Sequence, residues 1–174
     1  MMYPAMKFVV AIALAVSFLN SRARAEDTKP PACEAREYRQ FDFWIGKWTV
    51  TENKQPAGTN SIEADLKRCA LFESWTDTAG SRGRSINFYD RNVHRWHQSW
   101  IDDRGGALEL YGGLVGTSMV LEGDQVDAKT SSPVRHRITW TPQPDGSVRQ
   151  HWEMMKAGAA AWENVFDGLY KRSK

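Results

Sequence analysis

The chain lacks the signatures by which most enzyme families show themselves. Its 174 residues contain no G-x-S-x-G elbow, no H-E-x-x-H and no phosphate-binding glycine loop. Nucleophile-elbow, zincin and P-loop chemistry are therefore not written into it. No dense lysine–arginine stripe occurs, so the electrostatic footprint of a nucleic-acid partner is missing. Cysteine is scarce, with only Cys33 and Cys69. After residue 46 no segment repeats its apolar positions with a helical period.

Long apolar runs are also short in supply. The one candidate, Phe8 to Leu19, falls below the roughly 20 residues a membrane-spanning helix needs. Lys7 precedes it, and Ala23-Arg24-Ala25 follows, ahead of acidic Glu26-Asp27. That is the layout of a secretory signal peptide. The expected organisation is a signal at 1–25 and one domain at 26–174, periplasmic or secreted, with no membrane contact after cleavage. Lys7, Arg22 and Arg24 leave with the signal and no acidic residue does, so the basic pI of 8.6 comes partly from it. In an oxidising compartment Cys33 and Cys69 read as a disulfide. It would tie the N-terminal segment to the end of an early strand.

What is present is a succession of short runs rich in Val, Ile, Thr and aromatics. The alternation predicts ten strands, at roughly 47–54, 59–68, 70–78, 83–90, 94–103, 107–114, 117–123, 134–142, 147–155 and 162–172. AGSRG at 79–83, DRN at 90–92, DRGG at 103–106, EGDQ at 122–125 and QPDG at 143–146 are turn chemistry between them. Tyr38, Phe41 and Trp44, spaced by three, predict a short helix over 34–44. Uniformly short connections favour an all-β, up-and-down antiparallel barrel over a sandwich, and closure removes the exposed edges.

Side chains alternate across a strand. In HRWHQSW, residues 94–100, one face carries Trp96, Gln98 and Trp100, with Asp102 beyond, and the other carries His97 and Ser99. His94 and His97 point to opposite faces, so they do not share a metal ion, and no metal site is expected. Glu73 pairs with Trp75 on one face, Asn87 with Tyr89, and Gln150 with Trp152. A core built only for packing would place Val, Ile and Leu in such rows. Aromatics mixed with amides and a carboxylate suit a wall facing a small, partly apolar ligand. The expected ligand-binding residues are Glu73, Trp75, Asn87, Trp96, Gln98, Trp100, Gln150 and Trp152.

FDFWIGKWTV at 41–50, CALFESW at 69–75, SINFYD at 85–90, WHQSWID at 96–102, DGSVRQHWE at 145–153 and FDGLY at 166–170 together resemble an uncharacterised family of bacterial secreted proteins. This domain of unknown function has a calycin-like barrel, similar to lipocalins and streptavidin. The resemblance covers about 33–172. It implies a ten-stranded barrel and, by analogy, small-molecule binding; it implies no activity. One departure stands out. Relatives often carry a Ser-x-Asp-Gly-Gly-x-Thr-Trp turn before the last strand, whereas this chain has MKAGAAAW at 155–162, keeping only Gly158 and Trp162.

Binding without catalysis is the leading expectation, in a monomer or a homodimer, and no cofactor is expected. An enzyme of the lyase or isomerase type, with Glu73 or Asp102 as acid or base, is the main alternative. A haem barrel would take His136 as its ligand, since His136 shares a face with Ile138 and Trp140. A ligand-free envelope interaction protein would use the basic surface of Arg135, Arg137 and Arg149.

Overall fold

The computed structural model describes residues 33–127 and 130–173, and in them the alternating segments form ten antiparallel strands of one closed barrel. The strands are β1 Gly46–Glu52, β2 Gln55–Asp65, β3 Ala70–Asp77, β4 Arg82–Asp90 and β5 Arg95–Asp102, followed by β6 Ala107–Val115, β7 Ser118–Val126, β8 Pro133–Pro142, β9 Val148–Lys156 and β10 Glu163–Arg172. Each pairs with its successor, and β1 closes on β10 with Val50 opposite Tyr170. Every predicted strand is present, with ends moved by a few residues; EGDQ at 122–125, expected as a turn, instead continues β7 because residues 122–125 pair with 134–137 of β8. The expected signal at 1–25 lies outside the described residues.

Aspartates make the turns. Asp77 Oδ1 accepts the amides of Ala79 and Ser81 at 2.9 Å each, and Asp102 Oδ1 accepts those of Arg104 at 2.9 Å and Gly106 at 2.8 Å. Such side-chain-bonded turns set tight reversals. Gly105, at φ 85°, supplies the left-handed residue that the second of them requires.

The expected helix at 34–44 is replaced by two 3₁₀ turns, Arg36–Arg39 and Asp42–Trp44. The reason is in the spacing itself. A 3₁₀ helix has three residues per turn, so positions three apart eclipse. Tyr38, Phe41 and Trp44 follow that period rather than 3.6.

This segment plugs one end of the barrel. Phe41 stacks on Trp44 at 4.9 Å and meets Trp96 edge-on at 5.6 Å and Trp140 at 5.1 Å. Trp48 Nε1 donates to the Trp44 carbonyl at 2.9 Å. All five rings are almost fully buried. Each removes on the order of 150–250 Å² from water, which makes this cluster the main apolar anchor of the fold. The Cys33–Cys69 disulfide, with Cα atoms 5.0 Å apart, clips the plug to the β2–β3 turn, where Arg68 also pairs with Asp42 at 2.5 Å.

At the opposite end, the 155–162 stretch covers the end of β9 and the β9–β10 turn. Gly158 is left-handed there (φ 78°), Lys156 pairs with Glu163 at 3.0 Å, and Arg137 lies 4.1 Å over the Trp162 ring.

Candidate functional site

Period-two alternation puts one row of each strand inside. In β5, Trp96 and Gln98 are buried and Trp100 is half-buried. His97 lies outside, stacked on Tyr111 at 4.2 Å, with Nε2 2.6 Å from Glu109 Oε2. His94 sits left-handed in the preceding turn. The two histidines of HRWHQSW therefore do different outer-surface jobs. Among the described residues, no group of three metal-ligating side chains gathers.

Away from the plug, the barrel encloses a cavity of about 230 Å³. Trp75, Trp100, Trp152 and Phe166 form its aromatic walls; Glu73, Gln98, Gln150 and Tyr170 supply polar groups; Leu108, Ile138 and Val165 complete it. The four aromatic residues are only partly buried, so the cavity reaches the surface at the end carrying the β3–β4, β5–β6 and β9–β10 turns. The volume falls below the roughly 300–1,000 Å³ of drug-sized pockets, which sets a small occupant.

Backbone irregularities shape this mouth. A bulge between Asn164 and Phe166 leaves Val165 without a partner on β9, and both Val165 and Phe166 reach the cavity. Re-aiming of a side chain is what a bulge does at a barrel rim. Glycines give the rings their seats. A Cβ on Gly83 would lie 1.9 Å from the Trp100 ring, and one on Gly168 would lie 2.4 Å from the Phe166 ring. Each ring thus folds against the wall instead of filling the space.

The polar groups form one directed chain across four adjacent strands. Gln98 Nε2 donates to Asn87 Oδ1 at 2.7 Å, and Asn87 Nδ2 donates to Ser85 Oγ at 2.8 Å. Ser85 Oγ in turn donates to Glu73 Oε2 at 2.6 Å, and Asn60 Nδ2 donates to Glu73 Oε1 at 2.7 Å. Every dipole points its positive end at the carboxylate, an arrangement in which each bond polarises the next. From β10, Tyr170 OH donates to Gln150 Oε1 on β9.

Glu73 is the singular group. Burial pushes its carboxyl up to about 7, against the opposing pull of the Ser85 and Asn60 hydrogen bonds and the Arg84 charge. The lining contains no lysine, arginine or histidine. Burial, and then the charge of Glu73, raise the Tyr170 phenol well above its usual range, so it stays protonated.

Of the eight residues expected to bind ligand, six meet at this cavity: Glu73, Trp75, Gln98, Trp100, Gln150 and Trp152. Asn87 is fully buried behind it as a link of the chain. Trp96 sits at the plugged end, where its Nε1 donates to the Glu37 carbonyl at 3.2 Å and to Gln40 Oε1 at 3.1 Å. The alternation F-D-G-L-Y at 166–170 carried the signal for Phe166 and Tyr170; nothing local marks Val165, whose place depends on the bulge.

The alternatives are placed as well. Asp102 spends its carboxylate on the β5–β6 turn and does not border the cavity. His136 is buried and points inward, but its Nδ1 accepts the Trp152 indole N–H at 3.0 Å, and burial lowers its pKa. Arg135, Arg137 and Arg149 are each neutralised across the sheet, by Glu122 at 2.7 Å, Glu153 at 2.9 Å and Asp167 at 2.6 Å. Compared with known proteins, the chain matches no family model and no curated sequence, so the chemistry of the site rests on its own geometry.

Proposed function

We propose that the protein is an exported barrel that binds a small, partly apolar molecule. The observation that carries this reading is the aromatic-walled cavity of about 230 Å³ with a hydrogen-bonded polar wall. A row of buried polar groups costs roughly 1–3 kcal/mol for each group left unpaired. Here the chain spends most of its donors on neighbours and leaves the Oε1 of Gln98 and the Nε2 of Gln150 without protein partners among the described residues. Such a wall orients the polar end of an occupant while the rings cover its apolar body. The disulfide supports an extracytoplasmic site of action, and the closed ten-stranded barrel supports kinship with the calycin-like secreted family.

Native mass spectrometry of the protein recovered from its own host tests the reading. An added mass that disappears on denaturation, and that is absent from a folded Trp100→Phe/Trp152→Phe variant, is the expected result. An occupant retained unchanged by that variant places binding elsewhere and removes the proposal.

One observation favours a second reading. A carboxyl titrating near neutrality inside a cavity suits a general acid or base, so proton-transfer catalysis by Glu73 is the alternative. Turnover of any retained molecule, abolished in Glu73→Gln, distinguishes it from simple binding.

A further inference from the structure

We infer that the occupant is a small organic cation: a protonated amine on a compact apolar body, its ammonium group seated against Glu73 and its body between Trp75, Trp100 and Trp152. This deepens the binding-barrel reading and rests on it.

Charge makes the first part of the argument. Glu73 is 5 % exposed, and its hydrogen-bond partners, Asn60 and Ser85, are neutral. The cation that acts on it, Arg84, belongs to the outer row of β4, where its Nη1 donates to the carbonyl oxygens of Gly83 at 2.7 Å and Trp75 at 3.3 Å. A buried carboxylate without an ion-pair partner is expensive. A ligand ammonium would supply the missing countercharge where no side chain bordering the cavity does.

Hydrogen-bonding capacity makes the second part. An ionised carboxylate offers about four lone-pair sites, of which Asn60 and Ser85 use two. Gln98 Oε1 is left as a further acceptor at the end of a chain that polarises it. Around Glu73 the unused capacity is thus accepting, with Asn60 Oδ1 unmet as well and Gln150 Nε2 the free donor elsewhere in the lining, and an ammonium group carries three donors and no acceptor. Aromatic walls make the third part, because indole rings attract cations more strongly than any other side-chain ring.

The reading has a definite pH signature. The groups facing Glu73 are Asn60 from β2, Ser85 from β4, Gln98 from β5, Gln150 from β9 and Tyr170 from β10, and of these only Tyr170 titrates, far above neutrality. On β8, behind Trp152, burial lowers the pKa of His136 and so favours its neutral form. Amine affinity therefore rises as Glu73 ionises.

The test uses three probes of one shape, 2-phenylethylammonium, 2-phenylethanol and phenylacetate, followed by calorimetry on the disulfide-bonded protein. At about pH 8 the ammonium probe is expected to bind roughly tenfold or more tightly than the alcohol, with phenylacetate weakest. That preference should disappear in Glu73→Gln while alcohol binding persists, and in the wild type it should fall roughly tenfold on going to about pH 5.5. The wild-type pH profile stands by itself if the variant folds poorly. Equal or tighter binding of the alcohol or of phenylacetate, or an affinity for the amine that rises as pH falls, overturns the cation while leaving a binding barrel in place. Binding by none of the three, with a neutral fluorescent dye also insensitive to Trp100→Phe, overturns both.

Discussion

The two ends of the barrel use the same residue type for opposite purposes. At the plugged end Trp44, Trp48, Trp96 and Trp140 are packed against Phe41 with almost no exposure. At the mouth Trp75, Trp100 and Trp152 line the cavity and keep part of their surface accessible. Polar groups follow the reverse rule. At the plug the indole N–H groups of Trp48 and Trp96 find acceptors but those of Trp44 and Trp140 have none among the described residues, whereas at the mouth the amides, hydroxyl and carboxylate form a directed chain with only Asn60 Oδ1 unmet. Tight apolar contact therefore outweighs two unmet hydrogen bonds where there is nothing to bind. Where there is a cavity, the polar groups are aligned even though alignment strands a carboxylate in it.

On this contrast the plug carries stability and the mouth carries binding. The largest effect is expected for Phe41→Ala, which empties the centre of the plug. It should lower unfolding free energy by about 3–5 kcal/mol, read as a drop in the urea midpoint, and leave probe affinity per folded molecule nearly unchanged. Affinity lost along with stability would make the ends one cooperative unit.

Next comes the clip on the plug. Replacing both Cys33 and Cys69 by Ser should cost roughly 3–4 kcal/mol, since the bridge closes a loop with a sequence separation of 36. A reduced wild type should melt at the same temperature as that variant. A disulfide that contributes nothing would mean that the aromatic cluster holds the segment unaided.

At the mouth the expected cost is electrostatic. The folded state holds the Glu73 proton up to about pH 7, and the ordinary value is 4.5. Between these pH values the native state binds more protons than the unfolded one, so stability falls as pH rises through the window and levels off above it. The size is roughly 3 kcal/mol. Urea midpoints taken across the window should show that slope in the wild type, and Glu73→Gln should flatten it. A slope that persists in the variant would assign it to another group.

The smallest effect is expected at the seat of Trp100. Gly83→Ala introduces a methyl group into the ring's place, 1.9 Å from its nearest atom. The ring must swing toward the cavity, for about 1–3 kcal/mol of stability and a larger loss of probe binding. Unchanged binding would show that the seat does not shape the site.

Much of this architecture is local in origin and was legible in the residues. Alternation set which side of each strand faces in, because a one-residue slip would turn Trp96, Gln98 and Trp100 outward and His97 inward. Asp-containing turns set the hairpins, and two cysteines, taken with the expectation of export, implied their pairing. What alternation lacks is depth along the barrel axis. Trp96 and Trp100 share a face in sequence, yet the first lies under the plug and the second at the mouth. The entry of Phe41 and Trp44 into one end, the bulge that brings Val165 to the rim of the cavity, and the seat of Trp100 on Gly83 depend on strands other than their own. The sequence alone determined the order of strands, the short turns between them and the row of each strand that shares a face with its tryptophans. Only tertiary structure decided which end is filled and which is left open, because that depends on how a non-local segment competes for the same interior volume.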